Sequence, residues 1–595
     1  PTVTTRVDGS LTAALDRVAA VTAQSAAVMS GLVVVGLVVL ALASTVLVRR
    51  RGAVLAHQRA VGASLTGVAT GLGVESAVLV AAGGAVGVLA GRAVAPGAAG
   101  WAWAAAVLVP ALLVGPAVGT LVAARSVAPP RPLDRRRRRG AALRRPLAEV
   151  TLGLVALAAL ALLRTRGAAA SRATLGADLV VLAAPTLAAA AVAILLARVL
   201  PLVVARMRRL AGLGRGPVAL VAAAGTVTPV APVVALTLAC AVLALTGTVQ
   251  ATVAAGQEEG SWRAVGADVL VTGPFDPGLP DLRDLAGHDG VTAVAQARVV
   301  PGVQLLGSGV DRGARLVAVD PYDLAQVLSA GPLPDAPELA ALSATEGAPA
   351  DGAVPALVTG LPGGAEVTAR WGGVSVPLTV ADAAPWLPLG EDGGSPSRLT
   401  VVVSRADLER ALGEPVTTTA AWLVGPGAAT AAAQAELGGA DVLSRERWLR
   451  DLRTGPSVAT VTTVLRAAFV LVAALALLVV ALTAAGRAPE RGRSVLALRV
   501  LGAPRVVAGR LALVELLGVV LPPAVAGAMT GVALAGLAGE ALGVMGLTGL
   551  GSVPPLVVPW WVVAIVPGAC AVAVLAAVGG GGPGREQLGE ALRAG

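Results

Sequence analysis

Residues Ala26–Val48 read AAVMSGLVVVGLVVLALASTVLV, 23 positions without a charged side chain, and Arg49-Arg50-Arg51 follows directly. A bilayer core is crossed by about 20 apolar residues in a helix, so this stretch is long enough to span. The same pattern, an apolar run closed by arginines, recurs along the 595 residues. Gaps between charges give nine expected spans: 26–48, 68–93, 102–124, 147–164, 178–200, 226–250, 459–485, 508–537 and 559–581. With 56% apolar residues and 14% charged, the chain carries more apolar surface than soluble cores hide. Ala and Gly fill the spans, which permits close helix packing.

Charge divides the chain. Residues 251–458 carry 25 acidic side chains against 13 arginines, a net of −12, whereas the remainder has a net of +22. The arginines outside that block cluster in short loops. Loops 49–67, 125–146, 201–217 and 486–507 and the tail 582–595 hold 24 of them, including Arg135–Arg139 in one run. Loops 94–101, 165–177 and 538–558 hold only Arg166 and Arg172. Arginine-rich loops stay in the cytoplasm. The expected topology therefore puts residue 1 and the acidic block outside and the C-terminus inside a plasma membrane. The basic excess reads as a topology determinant and not as a nucleic-acid footprint. The first residue is Pro1, which reads as a chain lacking its natural N-terminus.

The acidic block is long enough for a core of its own. Strand-like stretches fall at 266–272, 291–305, 314–319 and 399–403, with short helices at 322–328, 405–412 and 428–437. Glu366–Trp371, then Gly372-Gly373, then an alternating Val374–Val380, spells a hairpin. The expected fold class is an α-helical polytopic membrane protein with one α+β extracytoplasmic domain.

Several chemistries are excluded by composition. There is no lysine, so a Walker A phosphate loop and Schiff-base catalysis are impossible. Two cysteines, Cys240 and Cys570, lie in apolar runs, and two histidines, His57 and His288, are far apart. No catalytic residue, metal site or cofactor is expected. Paired carboxylates or histidine clusters, which intramembrane catalysis uses, do not occur in the spans.

An internal repeat is the most informative feature. Arg51, Gly52, Arg59, Gly62, Ala63 and Glu75 match Arg491, Gly492, Arg499, Gly502, Ala503 and Glu515 at one offset, 440. Each copy follows one span and precedes another. Arg51 and Arg59 are eight residues apart and so lie near one helix face. Gly-Ala after them suits a helix stop. Each copy reads as a short amphipathic helix, a turn and a membrane helix. Alone, that pattern fits an interfacial lipid anchor and a protein-docking helix equally. Glu75 and Glu515, each 13 residues past its glycine, are intramembrane carboxylates. They either serve function directly or pair with arginines at the rim and fix the helices, and the second role is favoured.

The stretch Arg491–Leu537, with VLALRVLGA at 495–503 and Glu515 in the next helix, resembles the FtsX-like permease domain of MacB-type ABC transporters. Residues 51–94, with QRAVGA at 58–63 and Glu75, resemble a second copy. The acidic block is similar to that family's extracytoplasmic domain, especially Ala314–Leu328 and Val442–Leu452. The resemblance implies a long, two-unit permease. Residues 1–25 would end a first outer domain, with Val3 and Arg6 matching Val442 and Arg445 at offset 439. Residues 26–124 and 459–581 would be the two permease units, with docking helices 51–63 and 491–503. Residues 147–200 would be the linker pair of spans, 125–146 and 201–225 cytoplasmic loops, 226–250 the span leading to the outer domain 251–458, and 582–595 a cytoplasmic tail. A complete relative would have ten spans and two outer domains.

The resemblance further implies a separate cytoplasmic ABC ATPase dimer as partner. Arg51, Leu55, Arg59, Gly62, Arg491, Leu496, Arg499 and Gly502 would form the coupling helices. Leu55 and Leu496 would enter the ATPase cleft, and Arg59 and Arg499 would meet its acids. Members commonly carry an acidic residue early in this helix, where this chain has Val54 and Ser494. The implied function is non-enzymatic: coupling ATP hydrolysis to export or to handling of lipid, lipoprotein or hydrophobic compounds. The alternative is transport-free mechanotransmission to an extracytoplasmic partner such as a cell-wall hydrolase.

Overall fold

The computed structural model describes residues 6–94, 110–114, 117, 134–166, 183–211, 230–274, 276, 278–307, 310–343, 352–383, 399–435, 437, 439–500, 505–539, 544–549 and 553–579. Six helices come first: α1 (Arg6–Arg50), α2 (Gly52–Ala60), α3 (Leu65–Val94), α4 (Asp134–Arg166), α5 (Ala184–Ala211) and α6 (Val230–Val265). A β-rich stretch follows, with strands β1 (Val269–Thr272), β2 (Ala293–Gly307), β3 (Val310–Val319), β4 (Val354–Val358), β5 (Glu366–Trp371), β6 (Val374–Ala383), β7 (Leu399–Ser404), β8 (Ala420–Val424) and β9 (Asp441–Ser444). Interleaved with them are α7 (Pro321–Ala330), α8 (Arg405–Leu412), α9 (Ala428–Gln434) and α10 (Arg445–Thr454). The last helices are α11 (Pro456–Val500), α12 (Arg505–Ala538), α13 (Met545–Thr548) and α14 (Trp560–Gly579).

Two compact units result. One comprises 1–252, 460–543 and 556–595; the other comprises 253–459 and 544–555.

The first unit is helical. Among the described residues, seven helices are long and apolar enough to cross a membrane: Ser25–Val48, Thr66–Arg92, Pro146–Thr165, Ala184–Val203, Val230–Val265, Val458–Arg487 and Leu516–Ala538. The expected span 102–124 lies mostly outside the described residues, and 559–581 coincides with α14. The core of this unit joins Val35, Val39 and Leu42 of α1 to Leu238 and Cys240 of α6, Val472 and Val479 of α11, and Val520 and Ala524 of α12. Glycine makes the α6–α12 contact possible. A Cβ on Gly527 would collide with the Thr237 carbonyl, and one on Gly531 with the Ala241 carbonyl. These two glycines are four apart, the spacing that lets helix backbones touch. Gly247 is held open in the same way, by the Trp561 ring, which stacks edge-on against Phe469 with centroids 5.1 Å apart. Between α4 and α5, Arg198 Nη2 lies 2.5 Å from Glu149 Oε1, and its Nε donates to both carboxylate oxygens.

The second unit is built on a closed six-stranded barrel, a closure that the α+β expectation did not contain. Its strand order is β2–β3–β7–β4–β6–β5, and β2 pairs with both β3 and β5 to shut the ring. Period-two alternation sends one side chain in two to the interior. Leu305, Leu316, Ala356, Ala369, Leu378 and Val403, one from each strand, lie there at 1% exposure or less. The expected hairpin is β5–β6, with Gly372 (φ 53°) and Gly373 (φ 84°) at the turn. Two successive positive φ values are what a two-residue hairpin turn needs. A bulge between Val300 and Val303 in β2 lets both residues face inward although they are three apart.

β2 is fifteen residues long and serves two structures. Beyond the barrel, its first half pairs with β8, which carries β1 and β9 in turn. α7 covers one face of this wing and α9 the other. α7 starts where Asp320 accepts from the Tyr322 and Asp323 amides and Pro321 presets the first turn. Arg445, at the start of α10, bonds Glu258 and Asp268 and lies 4.4 Å over the Trp262 ring. Its own amide donates to the Asp268 carbonyl, 2.9 Å away. That cluster joins the end of α6 to β1 and α10.

Candidate functional site: the α2 elbow

The first repeat copy forms an elbow. α1 ends at Arg50, where Arg51 N–H donates to Leu47 O (3.2 Å), and α2 opens at Gly52, with Leu55 N–H donating to Arg51 O (3.0 Å). α2 thus follows α1 across a single turn residue, Arg51. It stops at the Gly-Ala of the repeat. Gly62 has φ 103°, and the Ala63 amide reaches back to Gln58 O at 3.0 Å. This six-to-one bond over a left-handed glycine is a Schellman stop, satisfying a carbonyl that the helix end orphans. Ser64 then opens α3, its Oγ accepting from the Gly67 amide at 3.0 Å.

The elbow has a small core and one ion pair. Val48, Leu55, Val68 and Leu72 pack together from α1, α2 and α3. Arg51 Nη1 lies 2.5 Å from Glu75 Oε2, with both side chains about half exposed (45% and 51%). The pair spans the start of α2 and the third turn of α3, so it fixes the returning helix against the outgoing one. Exposed ion pairs contribute about 0–1 kcal/mol. The Leu55 cluster therefore does most of the holding, at roughly 2 kcal/mol or more per buried leucine.

This geometry relocates the apolar contact. Leu55 is 6% exposed and already packed within the chain, so it is not available to a second protein. The exposed apolar side chains here are Val54 (59%) and Val61 (76%), seven residues apart and so near one face. Sequence reading missed both, although Val54 is the position where the resembled family carries an acid. The Arg59 side chain lies outside the described residues.

The second copy is described by its backbone to Val500. Residues 491–500 are not a separate short helix but the last turns of α11, a continuous helix of 45 residues. α12 starts at Arg505. The side chains of Arg491, Leu496, Arg499 and Glu515, and the whole of Gly502, lie outside the described residues.

Among the described residues, no group of three or more His, Cys, Asp or Glu side chains is placed to hold a metal ion. No protein-family model and no curated protein matches the chain.

Proposed function

We propose that this chain is the membrane permease subunit of an ABC system of the FtsX-like, MacB type, and that the α2 elbow and its repeat partner at 491–503 are where the ATPase docks. The observation that carries the reading is the elbow itself. It joins a helix that overruns its span, a glycine stop and a returning helix, in a segment whose sequence recurs 440 residues later. In this reading the chain has nine spans. The arginine-rich loops, both elbows and the C-terminus face the cytoplasm, and the barrel unit stands outside the plasma membrane. The arginine distribution supports that orientation.

Mechanically, nucleotide-driven closure of an ATPase dimer pushes on two elbows, one per ATPase subunit. Because Arg51 alone separates α2 from α1, and 491–500 are the last turns of α11, a push on either elbow acts at the end of a membrane helix. The Arg51–Glu75 pair and the Leu55 cluster keep the returning helix in step. Val54 and Val61 are the apolar anchors on the first elbow. Desolvated apolar anchors usually outweigh rim charges in such interfaces. The ATPase lies outside these 595 residues, which hold no lysine for a Walker A loop. The work done outside is export, or handling of lipid, lipoprotein or another hydrophobic compound.

Two measurements test this. Cysteines introduced at Ser308 and Ser494 should label from outside and from inside respectively; equal labelling of both in intact cells contradicts the topology. The chain purified alone should hydrolyse no ATP, and an ABC ATPase encoded beside it should bind it and be stimulated by it. Failure of every such ATPase to bind overturns the subunit reading.

A further inference from the structure

Much of the arginine expected in loops 125–146 and 201–217 is helical instead. α4 begins at Asp134 and α5 runs to Ala211. Arg135–Arg139, Arg144 and Arg145 therefore sit on helix just before the apolar stretch Pro146–Thr165, and Arg206, Arg208 and Arg209 on helix just after Ala184–Val203.

The two helices are antiparallel and in a fixed register. Leu163 of α4 and Ala184 of α5 share one buried cluster, and Glu149 pairs with Arg198. These two points are 14 residues apart on each helix, so one step back along α4 matches one step forward along α5. Three steps beyond the Glu149–Arg198 pair, Pro146 and Pro201 stand level. Each removes a hydrogen bond of its helix at that height. Ten and eleven steps beyond the pair, the register brings Arg139 level with Arg208 and Arg138 level with Arg209. Within 134–145 and 204–211 there are ten arginines and one acid, Asp134. Like charges gathered at one end of a helix pair repel, and an anion brought among them offsets the repulsion.

Depth says which anion. A helix rises 1.5 Å per residue. Arg144, Arg145 and Arg206 are thus within about 5 Å of the ends of the apolar stretches, and Arg138, Arg139, Arg208 and Arg209 about 7–12 Å beyond them. The headgroup layer is about 5–8 Å deep on each side of a bilayer core. The arginines lie in that layer and directly above it, where juxtamembrane basic clusters attract anionic lipid. Arginine suits the task because its planar fork holds phosphate by two parallel hydrogen bonds.

We propose that the arginine end of the α4–α5 hairpin binds the headgroup phosphate of an anionic phospholipid. The site is separate from the elbow and does not rest on the permease reading.

The test uses the full chain in dodecyl maltoside, titrated with dioleoylphosphatidylglycerol or dioleoylphosphatidylcholine, with bound lipid counted by native mass spectrometry. The two lipids share their acyl chains, and choline cancels the phosphate charge in the second. Phosphatidylglycerol binds saturably and at least about tenfold more tightly. Arg138→Gln, Arg139→Gln, Arg208→Gln and Arg209→Gln together reduce that preference to about twofold or less. The same change at four exposed arginines of the barrel unit, Arg312, Arg370, Arg447 and Arg450, leaves it intact. If the first variant does not fold, hydrogen exchange of the unaltered chain decides: phosphatidylglycerol, and not phosphatidylcholine, slows the amides of 134–145 and 204–211. Glycerol 3-phosphate and a twelve-base-pair DNA duplex are the remaining arms. Each binds at least about tenfold more weakly than phosphatidylglycerol, the first lacking acyl chains and the second being unable to enter the headgroup layer. The proposal is overturned by equal binding of the two lipids, by a preference that survives loss of the four hairpin arginines, by protection confined to other segments, or by glycerol phosphate or DNA binding as tightly as the anionic lipid.

Discussion

α3 and α12 are the same helix twice. Each follows a repeat copy, and the offset of 440 that aligns Glu75 with Glu515 also aligns Gly87 and Gly91 with Gly527 and Gly531. Their surroundings are opposite. Gly527 and Gly531 are pressed against carbonyls of α6, where no side chain fits. Among the described residues, nothing lies within 4 Å of a Cβ built on Gly87 or Gly91. One sequence pattern therefore supports a backbone contact in one place and, among the described residues, none in the other. A small-residue stripe is permission for close packing, and the partner decides whether it is used. The same holds for the elbows. In the first copy the outgoing and returning helices are tied by Arg51–Glu75, and the shared register predicts that Arg491 and Glu515 repeat the tie.

The largest effect should separate the two helices. Gly531→Leu forces a side chain into the Ala241 carbonyl and should cost about 3 kcal/mol or prevent folding of the helical unit. Gly91→Leu should change stability by less than about 0.5 kcal/mol. Thermal unfolding in detergent, followed by helix content, reads both. Equal losses would mean that α3 also packs on its glycine face. Next in size, Leu55→Ala should cost about 2–3 kcal/mol through its cluster with Val48, Val68 and Leu72. Val54→Ala, on the exposed side, should be nearly silent in the same unfolding measurement.

A smaller effect concerns the tie. Glu75→Gln should cost at most about 1 kcal/mol, since both partners are half exposed. Exchanging the charges, Arg51→Glu with Glu75→Arg, should restore that loss, and the matching exchange of Arg491 and Glu515 should behave alike. A double-mutant cycle for each copy checks whether the two ties are equivalent. The smallest effect lies in the barrel unit. Burial, then the neighbouring Asp320, raises the Asp323 carboxyl above the ordinary aspartate value, outweighing Arg283 and Arg405. A carboxyl with a raised folded-state pKa destabilises the fold when ionised, and the penalty fades as pH falls through that raised value. Asp323→Asn should therefore raise the melting temperature slightly at pH 7. The gain should vanish below the ordinary aspartate range, where both states are protonated. A gain that grows on acidification would contradict the sign.

Much of this architecture is legible in the sequence, for identifiable reasons. Charge gaps locate the long helices because a charge inside such a run is costly. Gly372-Gly373 between alternating stretches marks β5–β6 because few other residues adopt that turn. Three features escape. β8, Ala-Ala-Trp-Leu-Val, is buried on both faces and has no alternation, so its pattern fits a helix segment as well as a strand. β4 contains Pro355, which reads as a breaker, yet it pairs with both β6 and β7. Barrel closure depends on β2 finding β3 and β5 at once, a long-range register that no local signal carries. At the elbow, the positions of Arg51, Gly62 and Glu75 follow from the repeat. Which apolar side of α2 faces its own chain does not, because Val54 and Leu55 are adjacent and only Val48, Val68 and Leu72 decide between them.

The central claim is that the exposed face of the elbow, and not its buried one, meets an ATPase. The most direct measurement is ATP hydrolysis by an ABC ATPase that binds this chain, reconstituted with the chain in nanodiscs. Val54→Asp with Val61→Asp should leave the melting temperature of the membrane protein unchanged and reduce both ATPase capture and stimulation at least about tenfold, because two desolvated anchors are lost. Undiminished capture and stimulation by that well-folded double variant would contradict the account and leave the elbow as a lipid-facing anchor.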